Sequence, residues 1–388
     1  MKMLNQNSKS DKVKVKSTNT MKIAILSHPT EFVCGVNNVI EHEYKMLNRN
    51  NHKVDVFKMF IDHAGRKQYG TISFPTNSIL FYVSRAILPF AYAKKQNLGR
   101  ELKNYDAIIS HGYPMNVIGS YTQKIYHIPH IYIDHGFDPS PIELKWKLWL
   151  LASKIGTKYI LKHTKKILSV SKYLQNEFTK IYNVESEVLY NGVDVDRFSP
   201  INKSVELRIK LGIGDKPFFL YIGHIIPRKG VEYIIKAFNL LKDRIPSAAL
   251  VIGGRIPDNQ YFERLRNISN SSVIFTDFIP NNELPRYYAS ADVFVTGTLW
   301  EGFNLPLLEA QASGTPVVAF DHCSHPEVVD NGKSGILTQP KNVKELTKGM
   351  MYVFENKEEM GKYARKWAEK FTWDMHVKNL EKILNTYK

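Results

Sequence analysis

Two carboxylates, Glu301 and Glu309, bracket a turn and a short helix-forming stretch in the segment EGFNLPLLEAQASGTPVV, which ends at Val318. The proline of this segment suits the first helical turn, and its later glycine suits the C-terminal end. Apolar runs at 291–295 and 316–320 flank it, so the segment is predicted to be a strand–helix–strand unit of a parallel sheet. The N–H groups of such a helix start bind phosphate, and Glu309 lies within reach of hydroxyl groups on the same ligand. The chemistry predicts an anionic ligand that carries a polyol, such as a sugar nucleotide.

A second candidate group is the basic pair Arg228 and Lys229, which follows the apolar run 218–222 through Gly223. A strand-to-helix turn with adjacent arginine and lysine is suited to bind a diphosphate. The alternative is an ordinary solvated pair at the start of a helix. Because this turn and the Glu301–Glu309 segment open onto the same edge of one predicted sheet, we favour the functional interpretation.

The first half of the chain contributes a glycine and two histidines at strand ends. Gly35 follows the strand predicted at 21–26 and precedes a helix, where it allows close approach of a ligand, or is a plain turn glycine. The three-glycine dinucleotide fingerprint is missing, so NAD binding is not supported. His111 and His135 each end a strand and precede a glycine, which places both at the cleft. Asp134 either fixes the tautomer of His135 or caps the next segment.

Three other patterns carry less weight. Asp194-Val195-Asp196 has the form of a metal–nucleotide motif, but its polar surroundings indicate turn chemistry. The residues of His322-Cys323-Ser324-His325 are too close in sequence for the usual zinc spacings, so we expect no metal site. A glycosidase-like carboxylate pair is a further option for Glu301 and Glu309, although a carboxylate within a helix is a poor base for activating water.

The 388 residues are too many for one compact core, and strands alternate with helices twice along the chain. We predict an α/β fold with two Rossmann-like doubly wound domains facing a central cleft. The predicted parts are a basic lead-in without fixed structure (1–20), an N-terminal acceptor-side domain (21–200), a C-terminal nucleotide-sugar-binding domain (201–365) and a helix that crosses back to the N-terminal domain (366–388). Strands are predicted at 21–26, 54–59, 107–110, 130–134, 166–170, 187–190, 218–222, 248–252, 273–276, 293–295 and 317–320, and helices at 230–243, 259–269, 305–313, 343–355 and 360–388.

The formal charge of +16 is concentrated in the first half, where residues 1–200 have 28 Lys and Arg against 16 Asp and Glu. Such an excess indicates an anionic partner, or is simply a solvated basic surface. The segment from Glu143 to Lys166 interleaves aromatic and aliphatic residues with seven lysines, which is typical of a helix lying on an anionic bilayer or of a buried helix with a basic outer face. Tyr82 to Lys95 has a similar character. With two cysteines, no signal peptide and no spanning stretch, we expect a cytoplasmic protein, peripheral on the cytoplasmic face of a membrane.

The chain resembles the retaining GT-B glycosyltransferases of the nucleotide-sugar family numbered four, group 1, over residues 21 to about 375. The resemblance rests on the E-x7-E-like segment from Glu301 to Glu309 and on the Arg228-Lys229-Gly230 turn after Gly223. It also rests on shorter motifs, namely Tyr190-Asn191-Gly192-Val193-Asp194, Arg197-Phe198, and Glu327-Val328-Val329 with Gly332 and Gly335.

The resemblance implies roles for individual residues. Arg228 and Lys229 would neutralise the donor diphosphate, Glu301 would bind hydroxyls of the transferred sugar, and Glu309 would bind the ribose. The implied contacts to the donor also include Gly35, Gly223, Gly302, Phe303, Asn304 and Leu305. His135 would contact the sugar, with His111 and Asp134 on the acceptor side. The sequence departs from the family where Cys34-Gly35 replaces the usual Gly-Gly and where Asp134 precedes His135.

We therefore expect a metal-independent retaining hexosyltransferase that uses a nucleoside diphosphate sugar as co-substrate and needs no other cofactor. Its acceptor would be a glycan or a lipid-linked molecule, an anionic membrane surface would be a further partner, and nucleic acid would not be. Two alternatives stay open at this point: a nucleotide-sugar epimerase on the same fold, and a basic nucleic-acid-binding protein suggested by the pI of about 9.5.

Overall fold

A computed structural model describes residues 20–27, 35–58, 98–112, 115–136, 157–158 and 160–387. The predictions for the basic lead-in, for Cys34, for Tyr82–Lys95 and for most of Glu143–Lys166 fall outside these residues. Within them, no helix combines the length and the apolar character needed to cross a membrane.

The N-terminal half forms a sheet of six parallel strands in the order β2-β1-β3-β4-β5-β6. Its strands consist of continuous apolar residues because helices cover both faces of the sheet. In β1, for example, Ile23 to Leu26 are fully buried. The strands are β1 (Lys22–Ser27), β2 (Lys53–Lys58), β3 (Ala107–His111), β4 (His130–Asp134), β5 (Lys166–Ser169) and β6 (Glu187–Val188). The helices are α1 (Gly35–Arg49), α2 (Leu98–Leu102), α3 (Met115–Tyr126) and α4 (Lys172–Tyr182).

The C-terminal half forms a second parallel sheet in the order β12-β11-β10-β7-β8-β9. Its strands are β7 (Phe218–Ile222), β8 (Ala249–Gly253), β9 (Val273–Phe275), β10 (Val293–Thr296), β11 (Val317–Phe320) and β12 (Gly335–Thr338). Its helices are α5 (Val205–Lys210), α6 (Val231–Leu241), α7 (Asn259–Ile268), α8 (Leu284–Ser290), α9 (Leu305–Ala312), α10 (His325–Val328), α11 (Val343–Glu355) and α12 (Lys357–Ala368). In each sheet the strand order reverses around the first strand, so the prediction of two doubly wound α/β domains is confirmed.

The terminal segment differs from the single helix that the sequence predicts. The chain breaks after α12 and starts again as α13 (Trp373–Asn385), with the Thr372 side chain accepting from the N–H of Met375 at the new N-terminus. Between the two helices, Phe371 accepts a backbone hydrogen bond from Val193. This break redirects the chain onto the N-terminal half. The sequence prediction also missed β12, α8 and α10.

Helix α13 packs against α1 of the first domain. The ring of Trp373 stacks on His42 with centroids 4.5 Å apart, and Arg49 pairs with Asp374 at 3.0 Å. The start of α13 also passes close to the segment that follows β6, since a Cβ added to Gly192 in that segment would lie 2.4 Å from the backbone nitrogen of Trp373. Trp367 also belongs to the predicted crossing-back segment (366–388), but its Nε1 donates to the Val328 carbonyl of the second domain.

Candidate active site

The turn after β7 presents the basic pair. Pro227–Lys229 forms one 3₁₀ turn, and Gly230 then adopts the left-handed conformation with φ of +63°. A Cβ at this position would lie 1.9 Å from the carbonyl oxygen of Gly297, so the turn packs directly on the loop that follows β10. The same loop donates from the N–H of Leu299 to the carbonyl of Arg228 at 2.9 Å. Gly230 therefore fixes the basic pair against the loop that leads to Glu301.

The side chains of the basic pair contact that loop. Arg228 donates from Nη1 to the carbonyl of Trp300 at 2.8 Å, and its guanidinium lies 5.6 Å from the centre of the indole. Lys229 forms an ion pair with Glu301, and both side chains are largely buried, at 17% and 20% exposure. The structure thus brings together three residues that the sequence assigned to one site.

The start of α9 is built mainly from buried side chains. Gly302, Phe303, Asn304 and Leu305 are all buried. The amide of Asn304 donates from Nδ2 to Nε2 of His325 at 3.0 Å, and His325 donates from Nδ1 to the Phe320 carbonyl at 2.8 Å. The Asn304 side chain is therefore engaged inside the protein. Any contact of these four residues with a ligand would come chiefly from their backbone.

Two helix N-termini, one from each domain, face each other at this point. A Cβ added to Gly35, the first residue of α1, would lie 3.8 Å from Cδ1 of Leu305, the first residue of α9. Close by, a Cβ on Gly302 would lie 2.4 Å from the carbonyl of His135. Because a helix N-terminus carries partial positive charge and oriented N–H groups, the convergence of two of them favours an anion.

Glu309 lies one helical turn further along α9. It is partly buried, and its Oε2 accepts from the hydroxyl of Tyr288 at 2.9 Å. Burial raises the pKa of Glu309, while the Tyr288 hydrogen bond and the charge of Arg197 oppose that rise. The second carboxylate is thus held in a fixed position on the side of α9 that faces α8.

The two histidines of the first domain form one cluster. Nε2 of His135 lies 2.9 Å from Nδ1 of His111, and the two rings stack with centroids 5.2 Å apart. His111 is fully buried, so any part that it plays on the acceptor side would pass through His135, against which it packs. Asp134 accepts from the Tyr132 hydroxyl at 2.8 Å and from the N–H of Gly136. These contacts agree with the capping alternative for Asp134, and the ring of His135 contacts His111.

Gly223 lies at the end of β7, and its environment explains the residue type. A Cβ there would lie 2.7 Å from the hydroxyl of Tyr221, and the Gly223 carbonyl passes against Gly254. Gly223 also donates from its N–H to the Gly253 carbonyl at 2.9 Å. The glycine allows the ends of β7 and β8 to pack closely beneath the basic turn.

Two of the discounted patterns have structural roles. Asp194 accepts from the N–H of Arg197 at 2.9 Å, which is the turn chemistry that the sequence indicates. Burial lowers the pKa of His325 to about 4, and both of its ring nitrogens face protein groups, as described above. Among the described residues, no cluster of His, Cys, Asp or Glu has the arrangement of a metal site.

Sequence reasoning missed several residues around the basic turn. The pKa of His224 is lowered by burial and then by the charges of Lys229, Arg255 and Arg228, which places a third cation beside the pair. Arg255 comes just after β8 and Gly254, so its position at a strand end was a usable indication in the sequence, although it follows its glycine whereas His111 and His135 precede theirs. Tyr288 and His325 could not be inferred, because their partners come from distant parts of the chain.

Two family models match the chain. Residues 33–197 match Glycosyltransferase Family 4, and residues 204–369 match Glycosyl transferases group 1. The boundary between the two matches lies in the linker between the two sheets.

Relatives with assigned names match in sequence. A GDP-mannose-dependent alpha-(1-6)-phosphatidylinositol monomannoside mannosyltransferase of Mycolicibacterium smegmatis is 32% identical over 235 residues, which is 56% of this chain and 61% of that protein. An uncharacterised glycosyltransferase of Methanocaldococcus jannaschii is 29% identical over 95% of this chain and 98% of its own length.

Solved structures share the arrangement of both domains. HepE of Anabaena, in complex with UDP-glucose, superimposes with a TM-score of 0.75 at 18% identity, covering 94% of this chain and 100% of HepE. A sucrose-phosphate synthase of Thermosynechococcus elongatus gives a TM-score of 0.78 at 18% identity, with 94% and 98% coverage.

Proposed function

The chain belongs to the GT-B glycosyltransferases of family 4, group 1, and from this membership we propose that it is a metal-independent retaining hexosyltransferase. Its donor is a nucleoside diphosphate sugar, and its acceptor is a lipid-linked molecule or a polysaccharide. The relatives that are named as mannosyltransferases make GDP-mannose the first donor to test, and HepE makes UDP-glucose the second.

The convergence of the α1 and α9 N-termini beside Arg228 and Lys229 carries this proposal. Gly35 and Leu305 mark the two helix starts, and the basic turn packs on the loop just before α9. A diphosphate bound there would meet positive charge from both domains.

In the proposed reaction the sugar–phosphate bond breaks and negative charge develops on the leaving diphosphate. Lys229 and Arg228 stabilise that charge, and this is the main source of catalysis. Glu301, held next to Lys229, positions the hydroxyls of the transferred sugar, and Glu309 binds the ribose. The acceptor attacks from the face that the diphosphate leaves, so the anomeric configuration is retained without an enzyme nucleophile. His135 contacts the sugar from the first domain.

We also propose that the protein works at the cytoplasmic face of an anionic membrane. Lys124, Lys162 and Lys165 line a cavity of about 640 Å³ together with His127 and His163. Lys162, His163 and Lys165 belong to the lysine-rich segment that ends at Lys166, and anionic headgroups are the natural counter-charge of this basic surface. A relative that is named for a phosphatidylinositol-based acceptor supports a lipid-linked substrate.

The test is a transfer assay with GDP-mannose and UDP-glucose, each with and without membrane lipid extract, followed by NMR of the anomeric linkage in the product. The proposal requires a labelled hexose in the lipid or glycan fraction, with the α configuration of the donor retained. A product with inverted configuration would contradict the retaining mechanism. Conversion of the donor to an epimer without any acceptor would instead identify an epimerase.

A further inference from the structure

A continuous chain of titratable side chains leads from the cleft to the last helix. His135 contacts His111 at 2.9 Å, and Nε2 of His111 lies 2.9 Å from Oε2 of Glu43 on α1. The other oxygen of Glu43 lies 2.9 Å from Nε2 of His376 on α13. Nδ1 of His376 then donates to the carbonyl of Tyr190 at 2.7 Å. The mechanism above uses only the first of these side chains.

The interior members of this chain have almost no contact with solvent. Glu43 and His111 are fully buried, and His376 is 2% exposed. Burying a carboxylate is costly unless it is paired and hydrogen-bonded, and apolar residues of similar size would hold α13 on α1 at lower cost. Contacts between α1 and α13 already exist elsewhere, through Trp373 on His42. We therefore expect these buried titratable side chains to do more than hold α13 on α1.

The partners of each atom determine where the protons lie. The Tyr190 carbonyl can only accept, so Nδ1 of His376 carries a proton. A carboxylate can also only accept, so His376 carries a second proton on Nε2 and is an imidazolium paired with Glu43. Nε2 of His111 lies 2.9 Å from Oε2 of Glu43, and because a carboxylate oxygen carries no proton, the proton between these two atoms lies on Nε2 of His111.

The proton on His111 also determines the proton arrangement of His135 in the cleft. With its proton on Nε2, a neutral His111 presents a lone pair at Nδ1, and the facing nitrogen of His135 must donate. In this contact His135 therefore carries a proton on Nε2. The carboxylate of Glu43 also polarises both rings, which makes His135 richer in electrons.

We infer that Glu43 and His376 are positioning residues for His135: acting through His111, they fix its tautomer and increase its ability to stabilise positive charge on the transferred sugar. This inference rests on the proposed function, because glycosyl transfer passes through an oxocarbenium-like sugar. It also means that the crossing-back helix supplies a part of the active site.

The electrostatics of Glu43 agree with this assignment. Burial alone would raise the pKa of its carboxyl, but the interactions with His111 and His376 outweigh burial and lower the pKa to about 2. Glu43 is thus a carboxylate at neutral pH and not a hydrogen-bond donor.

The direct test is ¹⁵N NMR of the histidine rings in the full-length protein, assigned by single His→Asn variants. The expected spectrum shows His376 protonated on both nitrogens and His111 and His135 protonated on Nε2. A neutral His376, or a proton on Nδ1 of His111 or His135, would overturn the inference. Because this measurement needs no substrate, it decides the proton arrangement even if the proposed reaction is wrong.

The functional test is Glu43→Gln, which keeps the shape and removes the charge. A neutral amide can satisfy both histidines, so we expect folding to survive, His376 to become neutral and kcat to fall by about tenfold or more with the donor KM little changed. The matched control is Glu381→Gln, which breaks another contact of α13 with the first domain, at 3.2 Å from His52, without any link to His135. Unchanged kcat in Glu43→Gln, or an equal loss in Glu381→Gln, would leave Glu43 a structural residue.

Discussion

Replacing Lys229 with alanine removes the cation that we place against the leaving diphosphate. The change also leaves Glu301 without its ion-pair partner in a largely buried position. Two separate effects should follow, one on the rate of transfer and one on the stability of the folded protein. They can be separated because only the first depends on the donor.

The magnitudes come from the burial of the pair. Losing one group that stabilises a developing negative charge lowers kcat by about 10²–10³, which corresponds to roughly 2.7–4 kcal/mol. Removing one partner of a fully buried ion pair costs about 3–5 kcal/mol of stability. With the two side chains 17% and 20% exposed, solvent screens part of this, and we expect about 1–2 kcal/mol for Lys229→Ala.

The assay combines steady-state kinetics with urea unfolding of Lys229→Ala and of Lys229→Ala/Glu301→Gln. Neutralising Glu301 should recover most of the lost stability of the single variant but none of its kcat. Lys236→Ala is the matched control, since Lys236 is exposed on the helix that follows the turn. Near-normal kcat in Lys229→Ala, or rescue of kcat by the second substitution, would refute the assignment of Lys229 to the diphosphate.

Three further outcomes are expected. EDTA should leave turnover unchanged, and a strict requirement for Mg²⁺ would contradict the metal-free mechanism. Replacing Lys154, Lys158 and Lys162 with Glu should abolish sedimentation with anionic vesicles and leave donor binding unchanged. The same replacement of three exposed lysines in the second domain should not affect vesicle sedimentation. If vesicle binding survives in the first variant, the lysine-rich segment is not the membrane-binding surface. Burial lowers the pKa of His130 to about 3 and of His325 to about 4, so both are neutral when folded and protonate on unfolding below about pH 6.5. The stabilisation that these neutral histidines provide is therefore complete above pH 6.5 and is lost as the pH falls toward 4, and His325 contributes about 3 kcal/mol of it to the free energy of unfolding. The urea midpoints of the wild type and of His325→Gln, measured across this range, should converge at low pH. Parallel curves for the two proteins would show that His325 makes no such contribution.

Local sequence patterns predicted most of the two sheets. Val317–Phe320 and Phe218–Ile222 are short, apolar and bounded by turn residues, and their observed bounds equal the predicted ones. Such strands are specified by residues within a few positions of each other. The segment from Glu301 to Glu309 was predictable for the same reason, because Pro306 in the first turn and Gly314 just after the last turn define its helix locally.

The supporting contacts of the site were not predictable in this way. Glu43 and His376 are separated by 333 positions, and Lys229 and Glu301 by 72. No periodicity or spacing relates such pairs, which only the crossing of α13 and the order of the strands bring together. The break between α12 and α13 was missed because both halves are helix-forming, and the deciding contact is made by Val193 of the distant linker.

The most direct test of the donor cleft is a thermal shift measurement with UDP, GDP, ADP and dTDP, each beside its monophosphate. A diphosphate at 100 times its Kd should stabilise the fold by about 2.7 kcal/mol. We predict that one diphosphate raises Tm clearly, that its monophosphate raises Tm less, and that Lys229→Ala reduces the difference between them. No shift with any diphosphate, or equal shifts with the monophosphates, would contradict a diphosphate site between the two helix N-termini.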